Sequence, residues 1–335
     1  MLRVKCANRI LELLNNKDAL EHSQPVIRAR AGDVLSRLGD PHFDPARFYL
    51  PVDAVDDLLG FKEIEEDKDF KIGIRSGEAA SQRIYQATGY EPRECEINDD
   101  LTPTRRFYIA RHPVTVAQFK AFVDAKKAVD ANFTKGDDYT LRAPGNHPVQ
   151  SVNWHEARDY CKWLQEQLLN EKSLKNNEIV KLIQKDWEID LPSELEWERA
   201  ARGGERNRVF PWGDDDDDEA DANRANYDDT KIGGTSTVGC FAPNHGLYDM
   251  SGNVWDWTRS LWGTDWQKPD FGYPYELSTM AERENFEAGD DVMRVVRGGS
   301  WLSHAVDARC VYRCGFNSGL SPQPHRDSCG VAFAP

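Results

Sequence analysis

Cysteines are the first residues in this 335-residue sequence whose type and spacing could carry chemistry. Among the seven, only Cys310 and Cys314 lie close together, at a C-x3-C spacing with no second pair to complete a zinc site. An odd, scattered set is also unlike the disulfide framework of a small secreted domain. The cysteines therefore predict neither a zinc site nor a disulfide scaffold.

His304 and Asp307 are a second chemical candidate, because a carboxylate three residues from an imidazole could form a catalytic dyad. Nothing in the surrounding sequence requires a general acid–base pair, and a histidine on a binding surface is far more common. We therefore interpret His304 as part of a binding surface.

The charge of the chain excludes several classes of partner. Asp and Glu outnumber Lys and Arg by 57 to 42, which gives a net charge of −15. Nucleic acids and anionic membranes both bind basic surfaces, so we expect neither as a partner. Six acids form the run Asp214–Glu219, whose spacing does not fit an EF-hand, and we interpret this run as a solvated loop.

The sequence shows no targeting or membrane-spanning segment. Its first residues lack the apolar core of a signal peptide, and no run of 18 apolar residues occurs. We therefore expect a cytoplasmic protein.

The elements that position the chemical candidates begin with a helical segment, which we place at residues 1–57. Apolar residues between positions 10 and 14 fit one stripe of a helix, and a second helix is expected from Pro25 to a stop at Gly39. This pair resembles one helical hairpin of a HEAT-type repeat. A single repeat cannot bury its own core, so we expect it to lean on the rest of the chain or on further repeats.

From residue 58 the pattern changes to short strands, such as Arg105–Arg111, interrupted by two amphipathic helices and a third short helix. Beyond Gly203 the chain is rich in Gly, Asn, Asp and Trp and shows little periodicity. This pattern alone predicts only the α+β class. The predicted helices are Val116–Ala125 with Thr115 as cap, Trp154–Leu169 with Asn153 as cap, and Ser193–Arg202.

Six strings of the sequence occur in the order typical of one family. Over about residues 60–335 the chain resembles the formylglycine-generating enzyme family, also called the sulfatase-modifying factor family. The resemblance implies an α+β, C-type lectin-like fold at residues 58–335, with a small antiparallel sheet, flanking helices and much irregular chain. The strings are Tyr108–Thr115, Asn146–Trp154, Leu191–Ala201, Phe210–Gly213, Gly246–Trp257 and Arg294–Trp301.

The resemblance also implies where a catalytic copper ion would bind. Active members hold copper with two cysteines at a C-x4-C spacing that begins two residues after a Gly-Gly-Ser-aromatic string. The corresponding residues here are Ser303 and Ala308, and neither a hydroxyl nor a methyl group is a soft ligand for Cu(I). Cys310 and Cys314 have a different spacing and register. We therefore expect no copper and no enzymatic activity.

A second branch of the family, the variable proteins of diversity-generating retroelements, resembles this C-terminal tail more closely. Those elements randomise template adenines, so that Asn codons become NNY codons, which cannot encode Lys, Glu, Gln, Met or Trp. Residues 302–335 contain none of these except Gln323, and they hold three of the seven cysteines. Such tails usually end in Gly-Phe-Arg, whereas here Gly330 precedes Val, Ala and Phe. We place the variable region at about 301–335.

A variable tail alternates scaffold and displayed positions. Arg309 and Arg313 are expected to be scaffold, and Trp301 is expected to anchor the core. The displayed residues would form a mixed surface that resembles a paratope. They are Leu302, Ser303, His304, Val306, Asp307, Tyr312, Cys314, Asn317, Ser318, His325, Asp327 and Ser328.

A structural Ca²⁺ site is implied by the resemblance as well. Its ligands would be the side chains of Asp249 and Asp256 and the carbonyl groups of Gly252 and Val254, since hard oxygen donors suit Ca²⁺. The alternative is that the two acids only cap turns in a loop packed by tryptophans.

The leading hypothesis is a non-catalytic ligand-binding protein, diversified by a retroelement, whose partner is a variable protein or another macromolecular ligand. A plain non-catalytic family member is the nearest alternative. A copper- and oxygen-dependent formylglycine-generating enzyme is the rival from a different functional class.

Overall fold

The computed structural model describes residues 2–52, 58–133, 141–204, 208–213, 219–275, 277–320 and 331–332. Within these ranges, helices and short strands alternate with long irregular segments. The helices are α1 (Leu2–Leu14), α2 (Lys17–His22), α3 (Pro25–Leu38), α4 (Glu78–Thr88), α5 (Val116–Val129), α6 (Trp154–Asn170), α7 (Glu178–Ile183), α8 (Glu194–Arg202) and α9 (Met280–Arg283). The strands are β1 (Phe43–Asp44), β2 (Leu50–Pro51), β3 (Phe61–Ile64), β4 (Phe107–Ala110), β5 (Trp255–Gly263), β6 (Met293–Arg297), β7 (Cys314–Phe316) and β8 (Val331–Ala332).

The strands form small sheets, as the α+β class requires. β1 pairs with β2 and β3 pairs with β4, both antiparallel. The third sheet has the order β7-β6-β5-β8, in which β5 runs antiparallel to β6 and parallel to β8. The fold class predicted from the sequence is therefore confirmed.

Two helices begin where predicted and end later than predicted, and a third begins one residue after its predicted start. Thr115, Asn153 and Ser193 each cap a helix through a capping box. Ser193 is thus the cap and lies outside α8, which begins at Glu194. The apolar stripe of α5 ends near Ala125, but the following lysines are good helix formers, so the backbone stays helical to Val129. α6 continues one residue past the predicted Leu169, to Asn170.

Buried tryptophans hold the irregular half of the chain to its helices. Trp154, Trp197 and Trp257 are at most 1% exposed, and each donates its indole N–H to a buried acceptor. Trp154 donates to the carbonyl of Thr258 at 3.0 Å, and Trp257 donates to the carbonyl of Val152 at 2.9 Å. A fully buried tryptophan needs such a hydrogen-bond partner, because an unpaired indole N–H in the core lowers the free energy of unfolding.

The N-terminal segment contains three helices where two were predicted, because Asn16 ends the first helix and caps the short α2 through the N–H of Ala19. α3 begins at Pro25 and stops at Gly39, as predicted. The small apolar core of the N-terminal segment is formed by Ala7, Leu14 and Leu35. The predicted boundary at residue 57 adjoins residues 53–57, which lie outside the described ranges.

α3 contacts the rest of the chain through buried polar groups. Arg28 is 2% exposed and donates to the carbonyl groups of Leu20, Ser23, Cys240 and Asn223, and its guanidinium lies 5.0 Å from the ring centre of Phe241. The segment therefore leans on the main part of the chain, which is one of the two arrangements expected for an isolated helical hairpin.

Asp33 lies about one turn after Arg28 on α3. The ring of His147 contacts Asp33 at 2.9 Å and the hydroxyl of Thr235 at 3.0 Å. This second contact joins α3 to two irregular segments of the main part of the chain.

Among the described residues, no helix is both long enough and apolar enough to span a bilayer. The acidic run that we interpreted as a solvated loop lies almost wholly at 214–218, outside the described ranges.

Candidate binding site in the C-terminal tail

The tail begins at a tight turn that only glycine can make. Gly298 has φ +91° and Gly299 has φ +74°, in the left-handed region that disfavours side chains. A Cβ at Gly298 would lie 3.1 Å from the ring of Trp197 and 3.2 Å from the carbonyl of Met250. The turn therefore lets the backbone pass closely over α8 before the tail reaches the surface.

Beneath the tail lies a buried ionic network. Arg313 donates to both carboxylate oxygens of Glu194, at 2.7 and 2.6 Å. Arg297 donates to Glu194 at 2.8 Å and to Glu198 at 2.5 Å, and all four side chains are fully buried. Burial alone lowers the pKa of both guanidinium groups, but the neighbouring carboxylates raise each pKa above its ordinary value. These arginines are therefore firmly cationic and paired.

A second buried pair extends the network. Arg309 is 1% exposed and lies 3.1 Å from Glu96, which is 0% exposed. Arg93 donates to the same carboxylate at 3.0 Å, through the oxygen that also accepts from Arg309. Arg309 and Arg313 are thus buried supports of the tail, in agreement with their predicted scaffold role.

Glu194 and Glu198 were missed in the sequence. They lie four residues apart on α8 and so face the same direction, with Trp197 between them. Two acids at this spacing beside a tryptophan are a signal of a buried acidic face. Glu198 has a local partner in Arg202, four residues further along α8, but Arg297, which both acids contact, lies about a hundred residues away in the sequence.

The predicted displayed residues differ in exposure. Leu302 is 44% exposed and the side chain of His304 is 73% exposed. Another group is partly buried at the surface, and His325, Asp327 and Ser328 lie outside the described residues. The partly buried members are Ser303, Val306, Asp307, Tyr312, Cys314 and Asn317.

Ser318 is a correction to the displayed set. It is only 1% exposed, and its hydroxyl donates to Asp290 at 3.1 Å, while its carbonyl accepts the backbone N–H of Trp154. Asp290 also contacts His155 at 2.8 Å. Ser318 therefore supports the tail from inside, because its hydroxyl is bonded to Asp290 and its carbonyl to the backbone of Trp154.

Trp301 is a second correction. It is only partly buried and belongs to none of the buried apolar clusters, so it is not a core anchor. Instead it lines a cavity of about 660 Å³ together with Asp33 of α3 and His147. The reason is that α3 and the 231–235 loop stand beside it and leave this space open.

His304 and Asp307 do not form a dyad. The His304 ring contacts the carboxylate of Asp228 at 3.3 Å, whereas Asp307 accepts the backbone N–H of His304 at 3.3 Å and shares a hydrogen bond with Tyr312. Burial raises the pKa of Asp307, and the Tyr312 hydrogen bond opposes that shift. This geometry is a turn and not an acid–base pair, and the place of His304 on a binding surface stays a prediction.

Tyr312 is the aromatic centre of the exposed side of the tail. The guanidinium of Arg93 stacks over its ring at 4.2 Å, and the ring of Trp255 lies 5.8 Å away. Burial raises the pKa of Tyr312, so the phenol remains neutral and able to donate. Arg93 and Asp228 were not predicted as site residues, since neither belongs to the tail.

The residues at the copper positions do not fit copper. The Ser303 hydroxyl accepts the N–H of Ser300 at 3.0 Å, and Ala308 is fully buried with only a methyl group to offer. Cys310 is buried in a different apolar cluster from the one that Cys314 packs against. The donor set lacks the two thiolates that Cu(I) chemistry requires.

The residues at the calcium positions supply hard oxygen donors. Asp249 accepts from Asn253 at 3.3 Å and from the N–H of Gly239 at 3.4 Å, and Asp256 accepts from Trp197 at 2.9 Å. Burial raises the pKa of Asp249 to about 7 and that of Asp256 to about 8.

Neither acid has an ion pair among the residues that the structure describes. Of the two predicted carbonyl ligands, that of Gly252 accepts the N–H of Val254. Two buried, uncompensated acids fit a divalent cation of the calcium type.

Comparison with known proteins identifies relatives of this arrangement. The model of the sulfatase-modifying factor enzyme 1-like domain matches residues 66–331. Formylglycine-generating enzyme of Mus musculus is 29% identical over 219 residues, 62% of this chain and 49% of the relative. Inactive C-alpha-formylglycine-generating enzyme 2 of Bos taurus is 30% identical over 205 residues, 58% of this chain and 51% of the relative. The chain spans about half or less of the length of the curated relatives it matches.

A solved structure shares the fold at low sequence identity, and a second has a lower score. PvdO from Pseudomonas aeruginosa superposes with a TM-score of 0.53 and 21% identity, covering 82% of this chain and 92% of PvdO. Treponema denticola variable protein 1 has a TM-score of 0.48 and 22% identity, covering 82% of this chain and 94% of that protein.

Proposed function

Since this chain belongs to the sulfatase-modifying factor enzyme 1-like domain family, we propose that it uses the family fold to bind a ligand and not to catalyse formylglycine formation. The observation that carries this proposal is the replacement of the expected thiol pair by Ser303 and Ala308. Function lies in the site and not in the fold, so family membership alone does not imply activity. That a relative carries the name inactive formylglycine-generating enzyme 2 is compatible with this proposal.

The two sides of the tail support a binding role. Its buried side is fixed by Arg297, Arg309 and Arg313, while Leu302 and His304 project from a rigid base. A fixed backbone that presents mixed side chains around one aromatic residue, Tyr312, has the composition of a paratope. A macromolecular partner, for example another protein, suits so open a surface.

The composition of the tail supports diversification by a retroelement. Residues 302–335 contain no Lys, Glu, Met or Trp, although 30% of the whole chain is charged. NNY codons produce this exclusion without any chemical requirement on the residues. No disulfide joins the described cysteines, and a reducing cytoplasm is the location we propose.

Neighbouring DNA tests the diversification directly. We expect a reverse transcriptase gene close by, and a near-copy of the segment that encodes Trp301–Pro335 which differs only where the copy has adenine. If neither is present, the chain is an ordinary non-catalytic family member and the retroelement part of the proposal fails.

Copper binding separates a binding protein from the rival enzyme. Purified protein is titrated with Cu(I) and incubated with a Cys-x-Pro-x-Arg peptide under oxygen. We expect no stoichiometric Cu(I) binding and no loss of the peptide thiol, whereas the Ser303→Cys/Ala308→Cys double variant gains a C-x4-C pair and should bind Cu(I). Tight binding with peptide oxidation by the unmodified protein would overturn the proposal.

A structural Ca²⁺ at Asp249 and Asp256 is part of the proposal. Because burial raises both pKa values above the ordinary 3.8, the folded protein retains protons that the unfolded chain releases. In EDTA the free energy of unfolding should therefore fall as pH rises from about 4 to 8.

Added Ca²⁺ should reverse that fall, and more strongly at pH 8 than at pH 5. The Asp256→Asn variant should show a smaller pH dependence and no response to Ca²⁺. A melting temperature of the unmodified protein that Ca²⁺ does not change at pH 8 would remove the site.

A further inference from the structure

The cavity of about 660 Å³ beside Trp301 lies between the N-terminal helices and the main part of the chain. It is lined by α3, by residues 143–150 and by the 231–235 loop, and the described members of the displayed set do not line it. Its lining is part apolar and part charged. The apolar members include Val26, Pro144 and Ile232, and the charged members include Arg30, Asp33 and Lys231.

Buried asparagines hold the parts of this lining in place. Asn253 is fully buried, accepts the N–H of Trp301 at 3.0 Å through its carbonyl and accepts the N–H of Ser236 at 2.9 Å through its side chain. Asn146 donates to the carbonyl of Gly32 on α3 at 3.3 Å. The cavity is therefore preformed, which lowers the entropic cost of binding a ligand.

Two glycines leave bare backbone at the cavity. Gly233 has φ +78°, which favours glycine, whereas φ of Gly234 is not positive. A Cβ on Gly234 would meet no atom within 4 Å, so neither packing nor conformation requires glycine there. The N–H groups of both glycines have no hydrogen-bond partner among the described residues. A ligand can therefore approach two unused donors closely.

The charged side chains of the lining have both signs. Lys231 is already paired with Asp228 at 3.0 Å. Arg30 is exposed and has neither a hydrogen bond nor an ion pair among the described residues. Asp33 contacts His147 through Oδ1 at 2.9 Å, whereas its Oδ2 has no partner in the described part of the chain. One guanidinium and one carboxylate oxygen thus remain available, three residues apart on α3.

We propose that this cavity binds a free α-amino acid with a large apolar side chain. The ligand's carboxylate accepts from Arg30 and from the N–H groups of Gly233 and Gly234, and its ammonium donates to Oδ2 of Asp33. Its side chain packs against the ring of Trp301. A zwitterion fits because a ligand of one sign would leave the opposite ligand-binding charge unused, and the volume is that of a small-molecule site.

L-Phenylalanine is the probe, measured by titration calorimetry on the full chain at neutral pH. Three analogues each lack one part of it: 2-phenylethylamine has no carboxylate, 3-phenylpropionate has no ammonium, and L-alanine has no large apolar side chain. We expect each analogue to bind about tenfold more weakly or worse, because a charge-assisted hydrogen bond or the apolar contact is lost.

Single variants assign each charge to its partner. Arg30→Gln should weaken L-phenylalanine binding about tenfold and leave 2-phenylethylamine binding unchanged, since that analogue has no carboxylate. Asp33→Asn should weaken L-phenylalanine binding to a similar extent and leave 3-phenylpropionate binding unchanged. Arg9→Gln, at an exposed arginine on α1, should bind L-phenylalanine like the unmodified protein.

Two further variants separate this site from misfolding and from the tail. Gly234→Leu puts a side chain at the cavity without removing a charge, so it should abolish L-phenylalanine binding and retain the melting temperature. His304→Ala should leave L-phenylalanine binding unchanged, because the site does not depend on what the tail binds.

Three results would overturn the proposal. They are the absence of binding at millimolar L-phenylalanine, equal affinity for L-phenylalanine and for either analogue that lacks a charged group, and equal losses in Arg9→Gln and Arg30→Gln.

Discussion

Residues of the two sides of the C-terminal tail alternate along one short stretch of chain but differ in burial and in charge pairing. On the inner side Arg309 and Arg313 are at most 1% exposed, and each is paired with a buried glutamate. On the outer side the side chain of His304 is 73% exposed, and its contact is with the partly exposed Asp228. Charge on the inner side is therefore fixed by buried partners, whereas His304 on the outer side is mostly exposed to solvent.

This difference teaches how a surface can change while its shape stays constant. The inner residues keep the backbone in place through contacts with α8 and with Glu96, which lie far away in the sequence. The outer residues then add little to stability, since surface substitutions usually change it by no more than about 0.5 kcal/mol. The expected effects below run from the inner side to the outer side.

The largest effect is expected for Glu194→Gln. It would remove the carboxylate that pairs with both Arg297 and Arg313, leaving two buried guanidinium groups short of charge. Breaking a buried pair in this way costs about 3–5 kcal/mol, measured by urea unfolding. The control is Glu12→Gln, whose partner Arg9 is exposed and whose loss should cost less than about 1 kcal/mol. Equal losses in the two variants would show that the network is not a support.

The next effect is expected for Gly298→Ala. Its φ of +91° and its closeness to Trp197 both oppose a side chain, so we expect a cost of about 2–3 kcal/mol. Gly39→Ala is the matched control, because Gly39 has φ +89° but open space around it. Its cost should be about 1 kcal/mol, from the backbone alone. If both variants lose the same amount, the tail does not pass closely over α8.

Ser318→Ala tests the residue that was predicted on the outer side and that is buried, the single such case among the described members of the displayed set. It removes the hydrogen bond to Asp290 and should cost about 1 kcal/mol of unfolding free energy. A neutral result would return Ser318 to the displayed set.

The smallest effects are expected for Leu302→Ala and His304→Ala. Both side chains are exposed, so the urea midpoint of each variant should correspond to a change of no more than about 0.5 kcal/mol. The double variant should show the sum of the two. A loss above about 1 kcal/mol in either single variant would contradict the division into two sides.

The success of sequence prediction followed the range of the interactions. Helix starts at Thr115, Asn153 and Ser193 were predictable because a capping box is complete within four residues. The scaffold role of Arg309 and Arg313 came from resemblance to a family. Their partners Glu96 and Glu194 could not be inferred, because no local pattern joins residues more than a hundred positions apart.

The same limit explains the two corrections. Serine is a residue type common on protein surfaces, but the burial of Ser318 depends on Asp290 and on the start of α6. Tryptophan is a residue type common in protein cores, but between Trp301 and α3 of the N-terminal segment there is a cavity. In both cases the deciding neighbour comes from a distant part of the chain.

Arg28 joins the N-terminal helices to the rest of the chain in a way that bears on cooperativity. Its single guanidinium satisfies carbonyl groups on both sides of the junction, from Leu20 and Ser23 on one side and from Asn223 and Cys240 on the other. Separating the helices would leave the carbonyls of Asn223 and Cys240 without this donor and uncover Phe241. The boundary that the sequence predicts at residue 57 therefore does not separate two independently stable units, and both parts should unfold in one transition.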